Sequence, residues 1–543
     1  MAVPRPRPRR SAVLLVCAVA ALIGRPELLP ARDKRDTLTI GIAQLSATLH
    51  PLIVGHIAKR YLLAMTLRPL AVIDKDLKQA CPVCAGARLS ESSRVTTVSI
   101  HPDARWGDGT PVTAKDAVFA WEVGRHAESG ATYHAMFRGI RNIEAFGEKS
   151  FRIHSDGPVV LGEFYLLPAH LESRIFAAGA RDYNRRTLYN TDPANPGLYY
   201  GPYRIVEFAA GAHVVLERNP FWFGAPPHFR RITLKLLGDT ATAEASLLSG
   251  GIDYLAGEVG LSLEQVIEIE ARHSTRFRFV YKTSLVYEHI AANLDHPILG
   301  DMRVRLALLL AIDREKILRE VYRGKNPVAH TFSLPEEELG EAGVRRHPHD
   351  PARARALLDA AGWSDIRGGI RHNQAGERLA FAFMTTAGNR GRELVQRIVQ
   401  RQWREIGVET HIVNQPSAVL FDVTLKQRKF EGVVLKAWFR GPRSNGSFFL
   451  HSRQIPTAAN NYAGQNYVGF RGADRVFEAL ARAGGQERAA LLVELQKIYT
   501  EELPELPLHF RAEAYVMPHW LDGVEPTGHS DHSTNRVEFW RAK

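Results

Sequence analysis

The segment from Gly201 to Ala256 restricts the fold more than any other. "GPYRIVEFAAGAHVVLERNPFWFG" holds two alternating apolar–polar runs, Tyr203–Phe208 and Val214–Arg218, joined by Ala-Gly-Ala. Period-two alternation turns one face of each run toward a core, and the short joint predicts a hairpin. "RITLKLL" predicts a further strand, and "TATAEASLLSGGIDYLA" a helix that stops at Gly250-Gly251 and feeds a short strand. The class is mixed α/β.

The remaining signals alternate in the same irregular way, with long-range returns. "DTLTIGIAQLSATLHP" predicts a strand, Leu38 to Ala43, leaving the surface through a polar loop, and "SFRIHS" predicts another strand. "DMRVRLALLLAIDREKILREVYRG" reads as one long helical stretch ended by Gly324, and "DPARARALLDAAGW" as a second helix with a glycine stop. "GGIRHNQAGERLAFAFMTT" predicts a hairpin, and "RGRELVQRIVQRQWREIG" a helix that leads into the strand "VETHIVN". In "HPDARWGDGTPVTAKDAVFAWEVGRH" a Gly107-Asp108-Gly109 turn enters a helix through a capping box, Thr113 with Asp116. That segment carries no evident catalytic group.

The first residues read as a secretory leader. "MAVPRPRPRR" is basic, "SAVLLVCAVAALIG" is an apolar run of 14 residues, and "RPELLPARD" follows, with cleavage expected near Ala31. Such a run is too short to span a bilayer comfortably. Cys17 lies inside it behind Val16, which does not suit lipidation. Residues 1–31 are therefore expected to be a signal peptide and the mature protein to be exported, with a periplasmic location. The formal charge is +12, and the leader's five arginines and one glutamate supply a third of that excess. Beyond them no dense Lys/Arg run appears, so nucleic acid is not an expected partner.

Outside the leader the only cysteines are Cys81 and Cys84, in "KQACPVCAGARL". A redox CxxC needs a helix starting at the first thiol, which Pro82, Gly86 and the polar "SESS" oppose. A zinc site needs a second ligand pair, and none is suitably spaced. An oxidising compartment favours a disulfide between the two.

Seven strings occur in one order: "WGDGTPVTAKDAVFAWE", "GPYRIVEF…VVLERNPFWFG", "LLSGGIDY", "MRVRLALLLAIDREKI", "ARALLDAAGW", "WREIGVETHI" and "QNYVGF". Together they resemble the family 5 extracellular solute-binding proteins, the peptide-, opine- and nickel-binding receptors of ABC importers. The resemblance covers residues 37–543. It implies a type II periplasmic-binding-protein fold of two α/β lobes hinged about a ligand cleft. Lobe one is expected at 37–75 and 198–288 with a return at 508–543, an extra subdomain at 76–197, and lobe two at 289–507. The implied function is capture of a small peptide or peptide-like solute and delivery to membrane permease subunits, by a monomer, without catalysis and without cofactor or metal.

Matched to the family's contact segments, ligand contacts fall at Thr48 to His50, at "TTAGNRGRE" (Thr385 to Glu393) and at "KAWFRGPRSNGSFF" (Lys436 to Phe449), with Asn466 and Tyr467 downstream. The candidate residues are His50, Thr385, Asn389, Arg390, Trp438, Phe439, Arg440, Arg443, Asn445, Asn466 and Tyr467. Peptide-binding members follow their tryptophan with an aspartate for the peptide ammonium. This chain has no acid there and offers Arg440 and Arg443, whose guanidinium forks suit carboxylate or phosphate. That departure points to anionic or N-blocked solutes, opine-like compounds or sugar phosphates among them.

Rival readings are a nickel-type chelate receptor, an exported hydrolase and a chaperone. His509, His519, His529 and His532 crowd the C-terminal region, yet "HSDHS" reads better as a flexible polar loop. No G-x-S-x-G, H-E-x-x-H or phosphate-binding glycine pattern occurs.

Overall fold

The computed structural model describes residues 36–543 except 47, 54–56, 90–93, 133, 157–158, 160, 338, 443 and 461. The expected signal peptide and Arg443 lie outside the described residues. Among those residues no helix is long and apolar enough to cross a membrane.

A ten-stranded sheet runs through the whole molecule. From one edge its strands are Glu409–Ile412, Ala380–Met384, Gly432–Phe439, Arg278–Ala292, Glu505–Met517, Tyr254–Leu255, Thr37–Ile42, Arg231–Leu236, His213–Arg218 and Tyr203–Ala209. The predicted hairpin is the 203–218 edge, and 37–42 runs parallel to both 231–236 and 254–255. At the other end 380–384 lies parallel to 409–412 and 432–439, with the helix Arg390–Glu405 as their connection. The two longest strands, Arg278–Ala292 and Glu505–Met517, pair antiparallel at the centre and join the two lobes. The expected boundary between 288 and 289 falls inside the first of them.

Their ladder is interrupted between Thr283 and Tyr287. There the Ser284 hydroxyl donates to the Arg511 carbonyl (3.0 Å) and accepts from the Val286 N–H (3.3 Å), filling the gap in the ladder. The Leu285 N–H donates to the Gly528 carbonyl at 2.8 Å, while its own carbonyl accepts from the Arg440 N–H at 3.4 Å. Gly528 sits at φ +78°, where a Cβ would collide with the Thr283 carbonyl, so glycine is required.

Within 76–197 a separate antiparallel sheet forms in the order Cys84–Leu89, Val95–Ile100, Ser150–Ser155, Ile140–Ala145. The turn and helix at residues 101–126 pack against it. Asp116 caps its helix and is also buried, accepting N–H bonds from Thr113 (2.7 Å), Ala169 (3.0 Å) and the Trp106 indole (3.3 Å). The segment thus fastens one stretch of lobe one to another, a structural duty with no chemistry attached. Cys81 and Cys84 are joined in a disulfide. Thiol titration of the denatured, unreduced mature protein is expected to find no free thiol; two would contradict the pairing.

One element differs from the sequence reading. The stretch after Gly300 is two helices, Met302–Leu310 and Arg314–Tyr322, because the Asp313 carboxylate accepts the Lys316 N–H (2.9 Å) and starts a new helix. The expected hairpin in "GGIRHNQAGERLAFAFMTT" forms about a turn at Asn373–Glu377, where His372 bridges Arg378 antiparallel and the Asn373 N–H donates to the Glu377 carbonyl (3.0 Å); Ile370–His372 also pairs with Asp365–Arg367 across Gly368-Gly369, and Ala380–Met384 continues into the main sheet.

Candidate functional site

Two cavities flank the crossing strands. The larger, about 810 Å³, lies between the lobes; the smaller, about 660 Å³, opens toward the segment 327–344 and the loop Lys75–Leu77. Leu285, Gly528 and His529 line both, so the interrupted ladder forms the partition.

Three of the expected contact residues line the larger cavity: Asn389, Phe439 and Arg440. Phe439 closes the strand Gly432–Phe439 and is 68% exposed, an aromatic ring projecting into the cleft with the Arg511 guanidinium 5.9 Å from its centre. Asn389 caps the helix Arg390–Glu405 by accepting the Arg392 N–H at 3.1 Å. The other described candidates stand elsewhere. His50 is fully buried in lobe one against the Tyr183 hydroxyl (3.1 Å). The Thr385 hydroxyl donates to the Leu435 carbonyl at 2.8 Å, and Arg390 is exposed outside the cavity lining. Asn445 accepts the Ser447 N–H (3.1 Å), and buried Asn466 staples its own loop through the carbonyls of Leu450, His451 and Phe470. Trp438 packs in a core with Phe449 and Tyr467, and its indole N–H donates to Glu505 at 2.8 Å. Alternation explains the split, since Trp438 and Phe439 are neighbours on one strand and must face opposite sides.

Arg440 requires a correction. Its side chain is fully buried and is held by Glu337, with Nη2–Oε2 at 2.6 Å and Nη1–Oε1 at 3.4 Å. The charge expected to receive an anionic solute is already neutralised. The "HSDHS" loop is corrected as well: His529 and His532 are buried on the wall of the larger cavity, where His532 packs 5.9 Å from Tyr61. Among the described residues no group of three His, Cys, Asp or Glu is placed to hold a metal ion.

The charged floor of the cavity comes from Glu288 and Arg511, which the sequence reading passed over, and from Arg392, which lies in the expected segment Thr385 to Glu393. Glu288 on one crossing strand meets Arg511 on the other and Arg392 from the helix behind Asn389 (3.0 Å). Burial opposes ionisation of Glu288, but the two guanidinium groups outweigh it and hold the carboxyl far below the usual carboxylate range. Glu258 and Glu513 line the same cavity, and Lys282 lies opposite Glu513 on the paired strand. Arg511, Glu513 and Tyr515 continue the alternation of Glu505 and His509 along the strand Glu505–Met517, a period-two signal that would have found them.

Behind Trp438, Lys436 is buried with its Nζ 3.3 Å from the Trp438 ring centre and without a hydrogen-bond partner. Burial pulls its pKa down to about 7. An ordinary lysine titrates at about 10.4, so between these values the unfolded chain binds the proton and stability rises with pH. Lys436→Met is expected to stabilise the protein by about 1–4 kcal/mol at neutral pH, an advantage that shrinks toward pH 10. Urea unfolding at both pH values checks this; an advantage that grows with pH contradicts it.

Known proteins share this architecture. The bacterial extracellular solute-binding proteins, family 5 (middle region), match residues 57–458. The chain belongs to this family. The oligopeptide-binding protein AppA of Bacillus subtilis is 26% identical over 493 residues, covering 87% of this chain and 85% of that one. The oligopeptide-binding protein of Thermus thermophilus, solved with a pentapeptide, superposes with a TM-score of 0.68 at 24% identity, covering 93% and 96% of the two chains. NikA of Brucella suis, solved with Fe(III)-EDTA, gives a TM-score of 0.77 at 19% identity over 93% and 100%. This family 5 chain therefore has the two-lobed binding-protein fold that its sequence resembles, and its role is solute binding.

Proposed function

We propose that the protein is the periplasmic receptor of an ABC importer, exported by its leader, which takes a small peptide-like solute into the 810 Å³ cavity and passes it unchanged to a permease. The cavity between the lobes carries this reading, because it is walled by both lobes and floored by the strands that join them. An aromatic wall with a few convergent polar groups suits a small solute. The domain limits proposed are lobe one at 37–75, 198–288 and 508–543, the subdomain at 76–197, and lobe two at 289–507, with residues 278–292 shared.

A metal chelate is the second reading, favoured by His509, His529 and His532 on the cavity wall. Thermal shifts of the mature protein against short peptides, nickel–histidine, opines and sugar phosphates separate the two. A bound solute at a hundredfold excess over Kd is expected to stabilise the fold by about 2.7 kcal/mol and to be recovered intact. Chemical consumption of the bound compound would overturn the receptor reading.

A further inference from the structure

One exposed face of lobe two plays no part in the cleft. Along the helix Arg390–Glu405 the exposed residues Arg390, Leu394, Arg397, Arg401 and Arg404 recur every three or four positions, which places them in a single stripe. Arg404 is engaged by Glu409 at 3.6 Å. Arg390, Arg397 and Arg401 enter no ion pair among the described residues, and Arg397 bonds only the Glu393 carbonyl (3.3 Å). Two acids of the helix flank the stripe: Glu393, whose carboxylate accepts the Gly388 N–H (2.9 Å), and the exposed Glu405. Arg355 of the neighbouring helix Pro351–Ala360 donates to the Glu405 carbonyl at 3.2 Å and adds a further positive charge at that end. The stripe is cationic in sum.

Beside the helix runs the edge strand of the main sheet, Glu409–Ile412, held by Gln400 on the Thr410 carbonyl (2.8 Å) and by Gln396 on Asn414 (2.9 Å). The segment 417–425 is tied to the same margin by Thr424 on Gln415 (2.7 Å), with exposed Asp422 and Lys426 of opposite charge. Leu394, Ile412, Val413, Val419 and Val423 are each 39–47% exposed along this margin. Unpaired arginines thus stand among aliphatic side chains that water does not favour.

The chemistry narrows the partner. Glu409 and Val413 direct their N–H groups inward to Leu379 and Phe383, so Thr410 faces outward, and Gln400 already occupies its carbonyl. That blunts the edge against an added strand. Protein–protein interface cores are enriched in aromatic rings, whereas the exposed large apolar side chains here are all aliphatic. Guanidinium groups one turn apart suit phosphodiesters spread over a plane, with aliphatic side chains entering the acyl boundary between them. We infer that this margin of lobe two is a peripheral docking surface for an anionic phospholipid bilayer, which keeps the receptor at the membrane that holds its permease. It shares with the receptor reading only the export of the chain, so either can fail alone.

Flotation of the mature protein with vesicles tests it. At low salt the protein is expected to bind vesicles of phosphatidylglycerol and phosphatidylcholine in equal parts, to ignore phosphatidylcholine alone, and to be released as salt rises. Each basic residue contributes about fivefold at such a surface, so the triple change Arg390→Gln, Arg397→Gln and Arg401→Gln is expected to weaken binding about a hundredfold. Leu394→Ser is expected to weaken it at low and high salt alike. The charge control is Arg141→Gln, Arg181→Gln and Arg185→Gln, three exposed arginines within 76–197, which is expected to leave binding nearly unchanged. All six arginines are exposed, so both triples are expected to melt close to the wild type, which separates lost binding from lost folding. Equal losses in the two triples reflect net charge alone and overturn the surface, as does equal affinity for the two kinds of vesicle. A wild-type protein that ignores anionic vesicles at low salt also overturns it, and its retention on poly-glutamate would assign the margin to an acidic protein instead. None of these outcomes alters the thermal-shift screen on which the receptor reading stands.

Discussion

Replacing Glu337 by alanine is expected to cost the folded protein about 3–5 kcal/mol, the penalty for stranding a buried charge. Arg440 is fully buried and would keep only the Ser444 carbonyl at 3.4 Å and the face of Phe332 at 5.7 Å. Arg440→Ala is expected to cost less, because Glu337 retains the Ser333 hydroxyl (3.1 Å) and the Leu334 N–H (2.7 Å). The double change Glu337→Leu with Arg440→Met is expected to be near neutral, since an apolar pair of similar volume removes both charges together. Urea unfolding of the four proteins gives the stabilities to compare. Were Arg440 the receptor for a solute anion, its removal would weaken binding tenfold with little effect on stability. The ion pair predicts the reverse.

Glu288→Ala is expected to destabilise by a similar amount, about 3–5 kcal/mol at pH 7, because Arg392 and Arg511 would face each other across the floor of the cavity. The carboxyl of Glu288 is held below its ordinary value of about 4.3, so its contribution is present above that pH and is lost as pH falls below it. The gap between variant and wild type is therefore expected to narrow from pH 5 to pH 3. Guanidinium chloride would screen these charges, so urea melts are the measurement to use. A gap that widens on acidification contradicts the assignment.

Most of the fold was legible because its strands alternate and its helices carry their own stops. Tyr203–Ala209 and His213–Arg218 form the predicted hairpin, and Gly250 ends its helix at φ +75°. The break at Asp313 was missed because apolar residues continue through Ala311 and Ile312, hiding a cap that is a single side chain. The site was far less legible. Phe439 and Asn389 followed from resemblance, but burial decides the meaning of a charged residue, and sequence does not display burial. Arg440 looked available until Glu337, more than a hundred positions away, came against it. Glu258 looked like any surface acid in "LAGEVG".

The interruption in the central ladder has a mechanical consequence. A paired ribbon resists bending along its length and yields most easily where strand-to-strand rungs give way to a side-chain bridge, so any bending of one lobe against the other is expected to fall at residues 284–286. Leu285 is tied at one side to Gly528 and at the other to Arg440, on opposite walls of the cleft. Load applied to either lobe from outside thus converges on one residue that borders both cavities, and what fills the cleft sets how far that residue can turn.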